Sequence, residues 1–274
     1  MALPGRTAYS ENGTAAVIDN TIALSDIDDS QMAGASVTIS SGFTSGDTLG
    51  FTTIGAISGS YNSSTGVLTL SGTDTIANYQ AALRSITYAS SSEDPTATAA
   101  SRTISWSVTD ANSDGAGAQS SSAVTSTINL TATNDTPTAT AGATLAYSEN
   151  GTAAVVDNTI ALSDADDSNI AAAAVSISSG FTSGDILTFT DTANITGSYN
   201  SSTGVLTLSG TDTVANYQTA LRTVTYLSSS EDPTTTATSR TISWTVTDGN
   251  SDGAGAETST AVTSTINLTA VNDA

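Results

Sequence analysis

Two tandem β-sandwich domains, each with one short helix, are the all-β fold that the amino-acid sequence predicts. The 274-residue chain repeats itself with an offset of 138 residues, most of its short apolar segments alternate with a period of two, and one segment per copy has helical spacing. Aligning residues 9–136 with 147–274 needs no gap and gives 100 identities in 128 positions. A period of this length is one whole domain, so we expect domains over 1–136 and 137–274.

A β-hairpin is the first element that each copy predicts. The turn Asn62–Gly66 is rich in Asn, Ser and Gly, and the apolar residues of Val67–Leu70 follow it directly. Ile57 and Tyr61 lie on the preceding strand. The same residues recur in the second copy, where Gly197 to Leu208 repeats Gly59 to Leu70 unchanged.

The segment Thr73–Arg84 is the exception to the period of two. Its apolar side chains follow helical spacing at Ile76, Tyr79 and Leu83. Thr73 or Asp74 is the expected N-cap, because both side chains can accept a hydrogen bond from a first-turn amide. We therefore predict a short helix across one end of the sandwich, repeated at 211–222.

Two further strands follow the helix in each copy. In Arg102–Asp110, the side chains of Ile104, Trp106 and Val108 share one face, while Ser and Thr occupy the other. Ala123–Thr131 alternates in the same manner, although less strictly. Short strands separated by Gly, Asn, Asp and Ser clusters indicate an antiparallel sandwich.

The aromatic and arginine side chains have structural roles in this interpretation. Trp106, Trp244 and the tyrosines lie on alternating strands, so we expect them in the core rather than on a sugar-binding surface. The arginines Arg84 and Arg102, with their copies Arg222 and Arg240, are expected to neutralise nearby carboxylates.

The composition narrows the possible functions. The chain has 26 acidic and 5 basic residues, all arginines, and contains no lysine, histidine or cysteine. Catalytic triads, thiolate metal sites, disulfides and Schiff bases are therefore excluded. A net charge of −21 repels phosphate backbones and anionic membranes, so we expect no nucleic-acid partner and no membrane insertion. Cations are the natural counterpart.

The carboxylates cluster in predicted turns, in five groups per copy. In the first copy these groups are Glu11, Asp26-Ile27-Asp28-Asp29, Glu93-Asp94, Asp110-Ala-Asn112-Ser-Asp114-Gly115 and Asn134-Asp135. The second copy repeats them at Glu149, Asp164-Ala165-Asp166-Asp167, Glu231-Asp232, Asp248-Gly-Asn250-Ser-Asp252-Gly253 and Asn272-Asp273. Although Asp, Asn and Gly also make good turns, five clusters without interspersed bases favour calcium, which takes six to eight oxygen ligands.

The ordered set of motifs resembles cadherin repeats, and more closely the bacterial cadherin-like repeats of giant secreted adhesins of the RTX, type I-secreted kind. Tyr9-Ser-Glu11-Asn12-Gly13 is similar to the Pro-Glu-Asn-x-Gly segment of that family, and Asp26-Ile-Asp28 to its Asp-x-Asp. Ser92-Glu93-Asp94 stands where the family has Asp-Arg-Glu, Val108-Thr-Asp110 resembles Ala-x-Asp, and Thr133–Pro137 resembles the Asp-x-Asn-Asp-Asn linker. The linker lacks its first Asp and last Asn, and each copy is longer than a typical cadherin domain.

The resemblance implies a composite calcium site between the domains. Its ligands would come from Glu11, Glu93 and Asp94 of the first domain, from Asn134 and Asp135 of the linker, and from Asp164, Asp166, Asp167 and Asp248 of the second domain. Equivalent half-sites would lie at the two ends, with Asp26, Asp28, Asp29 and Asp110 at one and Glu149, Glu231 and Asp273 at the other. These open halves are expected to bind calcium weakly in this chain.

One loop in each copy has a second interpretation. Asp110-x-Asn112-x-Asp114-Gly115 matches the first six positions of the EF-hand pattern, but position twelve is Ser121 instead of Glu. The loop from Asp248 to Ser259 is the same in this respect. We expect β-hairpin turns whose first Asp serves the cadherin-like site; the alternative is that each loop holds its own ion.

The predicted function is structural: a calcium-binding repeat of a large extracellular protein, on a bacterial surface or secreted, in which calcium at the junction stiffens a rod for adhesion or biofilm assembly. Neighbouring repeats of the same chain are the expected partners, with homotypic assembly or a surface glycan as further possibilities. A calcium-dependent carbohydrate-binding module is the alternative. An enzyme is not expected, since no sequence feature distinguishes a glycosidase-type pair of carboxylates from carboxylates that bind a metal.

Overall fold

The chain divides into two compact units, Met1–Thr133 and Asn134–Ala274, which we call the first and second unit. The structure is a computed structural model that describes residues 6–112, 115–250, 253 and 255–272. No helix within these described ranges is long and apolar enough to cross a membrane. The expected domain limits of 1–136 and 137–274 stay a prediction.

The first unit contains nine strands and one helix in its described residues. In chain order they are β1 (Arg6–Ser10), β2 (Ala16–Val17), β3 (Gln31–Ser41), β4 (Asp47–Gly50), β5 (Ser58–Asn62), β6 (Val67–Thr75), α1 (Ile76–Arg84), β7 (Thr87–Ser90), β8 (Ser101–Asp110) and β9 (Val124–Thr131).

Two sheets enclose the core of the first unit. The larger has the order β1-β9-β8-β3-β6-β5 and the smaller the order β2-β7-β4. Only the β1–β9 pair is parallel among these strand pairs of the described residues. Alternate residues of β8 point into the core, where Ile104 and Trp106 are buried. The predicted all-β fold, the hairpin and the core position of Trp106 are therefore confirmed.

The second unit repeats this arrangement and adds a small sheet. Its elements are β10 (Thr138–Thr140), β11 (Thr144–Ser148), β12 (Ala154–Val155), β13 (Ala161–Ser163), β14 (Asn169–Ser179), β15 (Asp185–Thr188), β16 (Thr196–Asn200), β17 (Val205–Thr213), α2 (Val214–Leu221), β18 (Thr225–Ser228), β19 (Ser239–Asp248) and β20 (Val262–Thr269). The sheet orders are β11-β20-β19-β14-β17-β16 and β12-β18-β15, and β10 pairs with β13.

The helix is confirmed in both copies, but its predicted N-cap is wrong. Thr75 caps α1 by accepting a hydrogen bond from the amide of Asn78, and Thr213 does the same for α2. Residues 73–75 instead complete β6, so the chain passes from strand to helix without a loop. Asp74 accepts hydrogen bonds from the Ala56 amide and the Asn78 side chain, which ties the helix start to the preceding hairpin.

A buried ion pair connects the two sheets in each unit. Arg102 Nε lies 2.7 Å from Asp47 Oδ2, and both side chains are fully buried. The guanidinium also donates to the carbonyl oxygens of Pro95 and Ala99, and Tyr88 Oη donates to Asp47 Oδ1. The expectation that Arg102 neutralises a carboxylate is confirmed, as it is for Arg240 with Asp185.

The same expectation is wrong for the other two arginines. Arg84 Nε donates to the carbonyl oxygen of Ile22, and Arg222 Nε donates to that of Ile160. Both arginines end or follow the helix and satisfy a backbone acceptor of the neighbouring segment, so they fix the helix to the sandwich and do not offset an acidic side chain.

We expect Asp185→Asn to lower the free energy of unfolding of the second unit by about 3–5 kcal/mol, because the substitution leaves the Arg240 guanidinium buried without its counter-charge. Chemical denaturation followed by tryptophan fluorescence measures this effect, since each unit has one tryptophan. In a Trp106→Phe background the signal reports only the second unit. Asp47→Asn is the matched control, because it changes the first unit and should leave the Trp244 transition in place.

Candidate metal centre

A tight turn, after β1 in the first unit and after β11 in the second, presents one glutamate in each unit. β1 ends at Ser10, Asn12 adopts a left-handed conformation with φ of 54°, and the Gly13 amide donates to the Ser10 carbonyl oxygen. A Cβ at Gly13 would lie 2.6 Å from that oxygen, so only glycine fits there. Glu11 therefore projects from a turn that Asn and Gly make possible, and Glu149 occupies the same turn in the second unit.

Glu11 is buried and anchored to the end of its own unit. Its Oε2 atom accepts a hydrogen bond of 2.9 Å from the Thr133 amide, and the side chain is 5% exposed. Carboxylate oxygens of Glu11 and Glu93 lie within 4.8 Å of each other. Asn12 Nδ2 also approaches Glu93 Oε2 at 3.4 Å. The structure thus brings together two of the carboxylates that the sequence assigned to the first unit's half of the site.

The second unit gathers three aspartates in one loop. The Asp164 Oδ1 atom accepts hydrogen bonds from the amides of Asp166 and Asp167 at 3.3 and 3.0 Å, which folds the loop around that carboxylate. One carboxylate oxygen from each of the three residues lies within 4.8 Å of the other two. At an effective dielectric constant of about 20, each such pair repels by about 3 kcal/mol.

The segment at the start of the second unit joins this cluster. The Asp135 amide donates to Asp166 Oδ2 at 2.9 Å, and Asn134 Nδ2 donates to Asp248 Oδ2 at 3.0 Å. Asp248 ends β19 and is fully buried. Residues from three separate parts of the unit therefore meet at one end of it; Asn134, Asp135 and these aspartates are among the ligands that the sequence analysis proposed, and their role as ligands stays a prediction.

Three oxygen atoms of this cluster are buried without a hydrogen-bond partner. They are Asn134 Oδ1, Asp164 Oδ2 and Asp166 Oδ1. In each residue the other polar atom holds the local structure, through Asp248, the loop amides or the Asp135 amide. Because a buried polar atom without a partner costs about 1–3 kcal/mol, and more when charged, this arrangement favours a water molecule, a proton or a cation at these oxygens.

The pKa of Asp166 also indicates a carboxylate without a compensating positive charge. Burial is the main cause that raises the pKa of Asp166 to about 6; the hydrogen bond from the Asp135 amide opposes the rise, and the nearby Asp164 carboxylate contributes to it. Within the described residues, the second unit's only ion pair is Arg240–Asp185 in the core, so no basic side chain pairs with the cluster. A carboxylate of raised pKa in such a cluster favours a bound cation or a proton.

The donor set fits calcium. All three partnerless atoms are carboxylate or amide oxygens, which are the hard ligands that Ca²⁺ takes in flexible geometry at 2.3–2.6 Å. Asp167 lies in the same cluster with a carboxylate oxygen within 4.8 Å of those of Asp164 and Asp166, and the Asp135 amide contacts the cluster through Asp166. Thiolate or imidazole ligands of a transition-metal site do not occur in this chain.

The corresponding loop of the first unit is more open. Asp26 Oδ1 accepts hydrogen bonds from the amides of Asp28 and Asp29, so the loop has the same fold as in the second unit. The hydrogen bond from the Asp29 amide is the main reason that the pKa of Asp26 lies below its usual range. Asp28 is exposed, whereas its counterpart Asp166 is half-buried. The described residues of the first unit contain no counterpart of Asn134 and Asp135.

Several other predicted ligands make no contact with these clusters among the contacts of the described residues. Asp94 Oδ1 accepts from the amide and hydroxyl of Thr96, and Glu231 is exposed at the surface. Glu149 is buried, and its Oε2 atom accepts from the Val271 amide while Oε1 has no partner. Asp273 lies outside the described residues.

The Asp110 and Asp248 loops close antiparallel hairpins, as predicted. Asp110 Oδ1 accepts from the Asn112 amide and Oδ2 from the Gln119 amide, so both carboxylate oxygens already hold the hairpin. Asn112 Oδ1 accepts from the Gly117 amide. Asp114 and Asp252, the third acidic positions of the EF-hand pattern, lie outside the described residues.

Glu257 is a neighbour of the linker that the sequence analysis missed. Its carboxylate accepts a short hydrogen bond from the Thr136 hydroxyl, and its amide donates to Asp248 Oδ2. The signal that could have revealed it is the difference between the copies, since the aligned residue in the first copy is Gln119. Glu257 therefore adds a further acid beside Asp248.

The aromatic side chains do not form a sugar-binding platform. None of the chain's Tyr, Trp or Phe residues, all of which lie in the described ranges, is classed as exposed. Tyr9 and Trp106 are buried, and Tyr61 is half-buried with its hydroxyl donating to the Asp47 carbonyl oxygen. This placement counts against the carbohydrate-binding alternative, which needs exposed aromatic faces.

Comparisons with known proteins give one sequence relative. The chain is 40% identical over 108 residues to Halomucin of Haloquadratum walsbyi, and the match covers 37% of this chain and 1% of that protein. No family model matches the sequence.

Solved cadherin structures resemble the chain at a low level. Mouse Cadherin-23 EC22-24 covers 98% of the chain with a TM-score of 0.38 and 12% identity, and the match spans 65% of that structure. Protocadherin Gamma B2 extracellular cadherin domains 1-5 cover 83% of the chain with a TM-score of 0.31 and 12% identity, over 34% of that structure. Similarity at this level supports no conclusion about function.

We expect Asp166→Asn to stabilise the second unit by about 1 kcal/mol at pH 7 in the presence of a chelator, because it removes a buried charge next to Asp164 and Asp167. The raised pKa means that wild-type protein gains stability as the pH falls through about 6. The advantage of the variant should therefore shrink below that pH. Denaturation followed by Trp244 fluorescence measures both effects.

Asp28→Asn is the matched control for this change. Asp28 holds the aligned position in the first unit but is exposed, so its substitution should alter stability less. Destabilisation of the second unit by Asp166→Asn in chelator would contradict the interpretation that this carboxylate is held at an energetic cost.

Proposed function

We propose that the chain is a calcium-binding structural repeat of a large extracellular surface or adhesion protein, and that calcium at the junction between its repeats makes the array rigid. It acts as a mechanical element, not as an enzyme. The observation that carries this proposal is the set of three buried oxygens without partners, on Asn134, Asp164 and Asp166.

Each residue of the set divides its polar atoms between two tasks. One atom holds the loop or the linker, through a hydrogen bond to a backbone amide or to Asp248. The other is left for the cation. When bound, Ca²⁺ supplies the positive charge that the neighbouring side chains lack. The loop and the segment Asn134–Asp135 are thereby fixed to the same point, and the repulsion between carboxylates is removed.

A fixed linker is the basis of the proposed mechanical role. Asn134 and Asp135 begin the second unit and follow Thr133 directly, and the Thr133 amide is bonded to Glu11 of the first unit. A ligand set that includes these linker residues restricts the backbone between the units. We propose that Glu11 and Glu93 complete the coordination from the first unit, which makes the site a joint.

Charge and sequence similarity support an extracellular setting. A module of net charge −21 with weak to moderate calcium sites is suited to the millimolar calcium outside cells. The partial match to Halomucin, of which it spans only 1%, supports a place in a very long protein. Two closely similar copies in tandem also support a place in a long repeat protein, since repeat arrays use neighbouring copies as their partners.

Calcium titration should show saturable binding with a dissociation constant on the order of 10⁻⁴ M. At a hundredfold excess over that constant, binding to the folded state should stabilise the second unit by about 2.7 kcal/mol, and chelator should reverse the effect. Isothermal calorimetry and the Trp244 melting transition measure the two quantities.

The double variant Asp164→Asn/Asp166→Asn should lose most of this binding. Asp191→Asn is the control for lowering the acidic charge: Asp191 is an exposed acid in the same unit whose Oδ1 atom accepts from the Gly197 amide. If wild type and the double variant respond equally to calcium, the ion does not bind at this cluster.

Small-angle scattering should detect the mechanical consequence. We expect the wild-type chain in calcium to have a narrow distribution of intramolecular distances, and the distribution to broaden in chelator as the repelling carboxylates release the linker. The double variant should resemble the chelated wild type under both conditions. A distribution that is the same with calcium and with chelator would refute the joint, even if calorimetry shows binding.

A further inference from the structure

The two units differ at one edge of the sandwich, although their sequences are nearly identical. In the second unit, β10 pairs antiparallel with β13, in the register Thr138↔Ser163, Ala139↔Leu162 and Thr140↔Ala161. In the first unit, the residues that correspond to β13 are Ala23–Ser25, and they pair with no strand among the described residues. A groove of about 620 Å³ lies beside them.

The groove is lined by apolar side chains whose aligned counterparts in the second unit are less exposed. Its lining includes Ile22, Leu24, Trp106, Val108 and Val124. Val124 is 61% exposed, whereas the aligned Val262 is half-buried. Ile22 and Val108 are half-buried, and their counterparts Ile160 and Val246 are at most 1% exposed.

The backbone beside the groove is arranged to receive a strand. The Leu24 amide donates to Gln80 Oε1 of α1 at 3.0 Å, as the Leu162 amide does to Gln218 of α2. Since successive backbone groups of an extended segment point in opposite directions, those of Ala23 and Ser25 face the open side. No hydrogen bond from a described residue reaches the backbone of Ala23 or Ser25.

The second unit shows which segment fits. Besides the three strand pairs, the Thr138 hydroxyl bonds to Ser163, the amides of Gly142 and Ala143 donate to Asp157 Oδ2, and Ala141 packs against the core. Ser25 and Asp19 hold the positions of Ser163 and Asp157, and both line the groove. The receiving side chains are therefore the same in both units.

The chain's own first residues differ from that segment. Residues 1–5 read Met-Ala-Leu-Pro-Gly where the aligned residues 139–143 read Ala-Thr-Ala-Gly-Ala. Pro4 stands at the position of Gly142 and has no N–H to donate. The polar and small-residue pattern that fills the groove of the second unit is absent from this end.

We propose that the groove of the first unit is a strand-acceptor site whose occupant is an extended Thr-Ala-Thr-Ala segment, with the sequence of residues 138–141, entering antiparallel to Ala23–Ser25. A segment of this sequence in front of a repeat completes that repeat. The leading strand of each unit thus belongs to the stretch that directly follows the linker.

The test restores the segment in the complete chain. Residues 1–5 are replaced by Met followed by the sequence of residues 136–143, so that the segment joins Arg6 as it joins Thr144 in the second unit. Asn134 and Asp135 are left out, and all measurements are made in chelator, which separates this test from the calcium proposal. In a Trp244→Phe background, Trp106 fluorescence reports only the first unit.

The restored chain should show amide hydrogen exchange at Ala23 and Ser25 slowed at least tenfold, and a first-unit melting temperature raised by several degrees. A matched variant has proline in place of the added threonine that copies Thr140, the second threonine of Thr-Ala-Thr-Ala. This change removes one strand-pairing N–H, so the variant should lose most of both effects. The proposal is overturned if the restored chain shows neither effect, or if the proline variant shows both equally. Wild-type amides at Ala23 and Ser25 already as protected as those of the restored chain would also overturn it.

Discussion

Carboxylates held close together without positive side chains are the condition on which the organisation of this protein depends. With 26 acids and five arginines, the chain cannot neutralise its own charge. The ion pairs within the described residues are both in the cores, where Arg102 and Arg240 each hold one aspartate. Arg102 and Arg240 are thus used to secure the fold, and within the described residues the turn carboxylates at the unit ends form no ion pair with a basic side chain.

This division has opposite effects on stability in the two places. In the core, the guanidinium and a tyrosine hydroxyl both donate to Asp47 or Asp185, and the guanidinium also donates to two or three backbone carbonyl oxygens, so the charged pair is well hydrogen-bonded. At the start of the second unit, three oxygens are buried without partners. A fold that keeps both arrangements gains rigidity from the first and carries an energetic cost in the second, which the proposed calcium ion would remove.

The two units also show how one sequence can produce two different surfaces. Their residues at the acidic loop and beside the groove are nearly the same, yet Asp166 and Val246 are more buried than Asp28 and Val108. In the second unit, the Asp135 amide donates to Asp166 and β10 pairs with β13, whereas the described residues of the first unit show no equivalent contacts. A repeat of this kind therefore owes part of its packing and part of its polar cluster to the residues that lead into it.

Composition, the 138-residue repeat and local periodicity determined the fold class, the hairpin, the short helix and the buried aromatic residues, because these features depend on neighbours within a few positions along the chain. The sequence also indicated which acids to consider, since Asp-x-Asp and Glu-Asn-Gly act through their own turns. Only the tertiary structure decided that Thr75 caps the helix, that Arg84 serves a carbonyl oxygen, that Glu257 lies beside the linker, and which oxygens lose their partners. These outcomes depend on segments that are distant in sequence and meet only on folding, where burial and geometry, rather than residue type, determine which atoms are hydrogen-bonded.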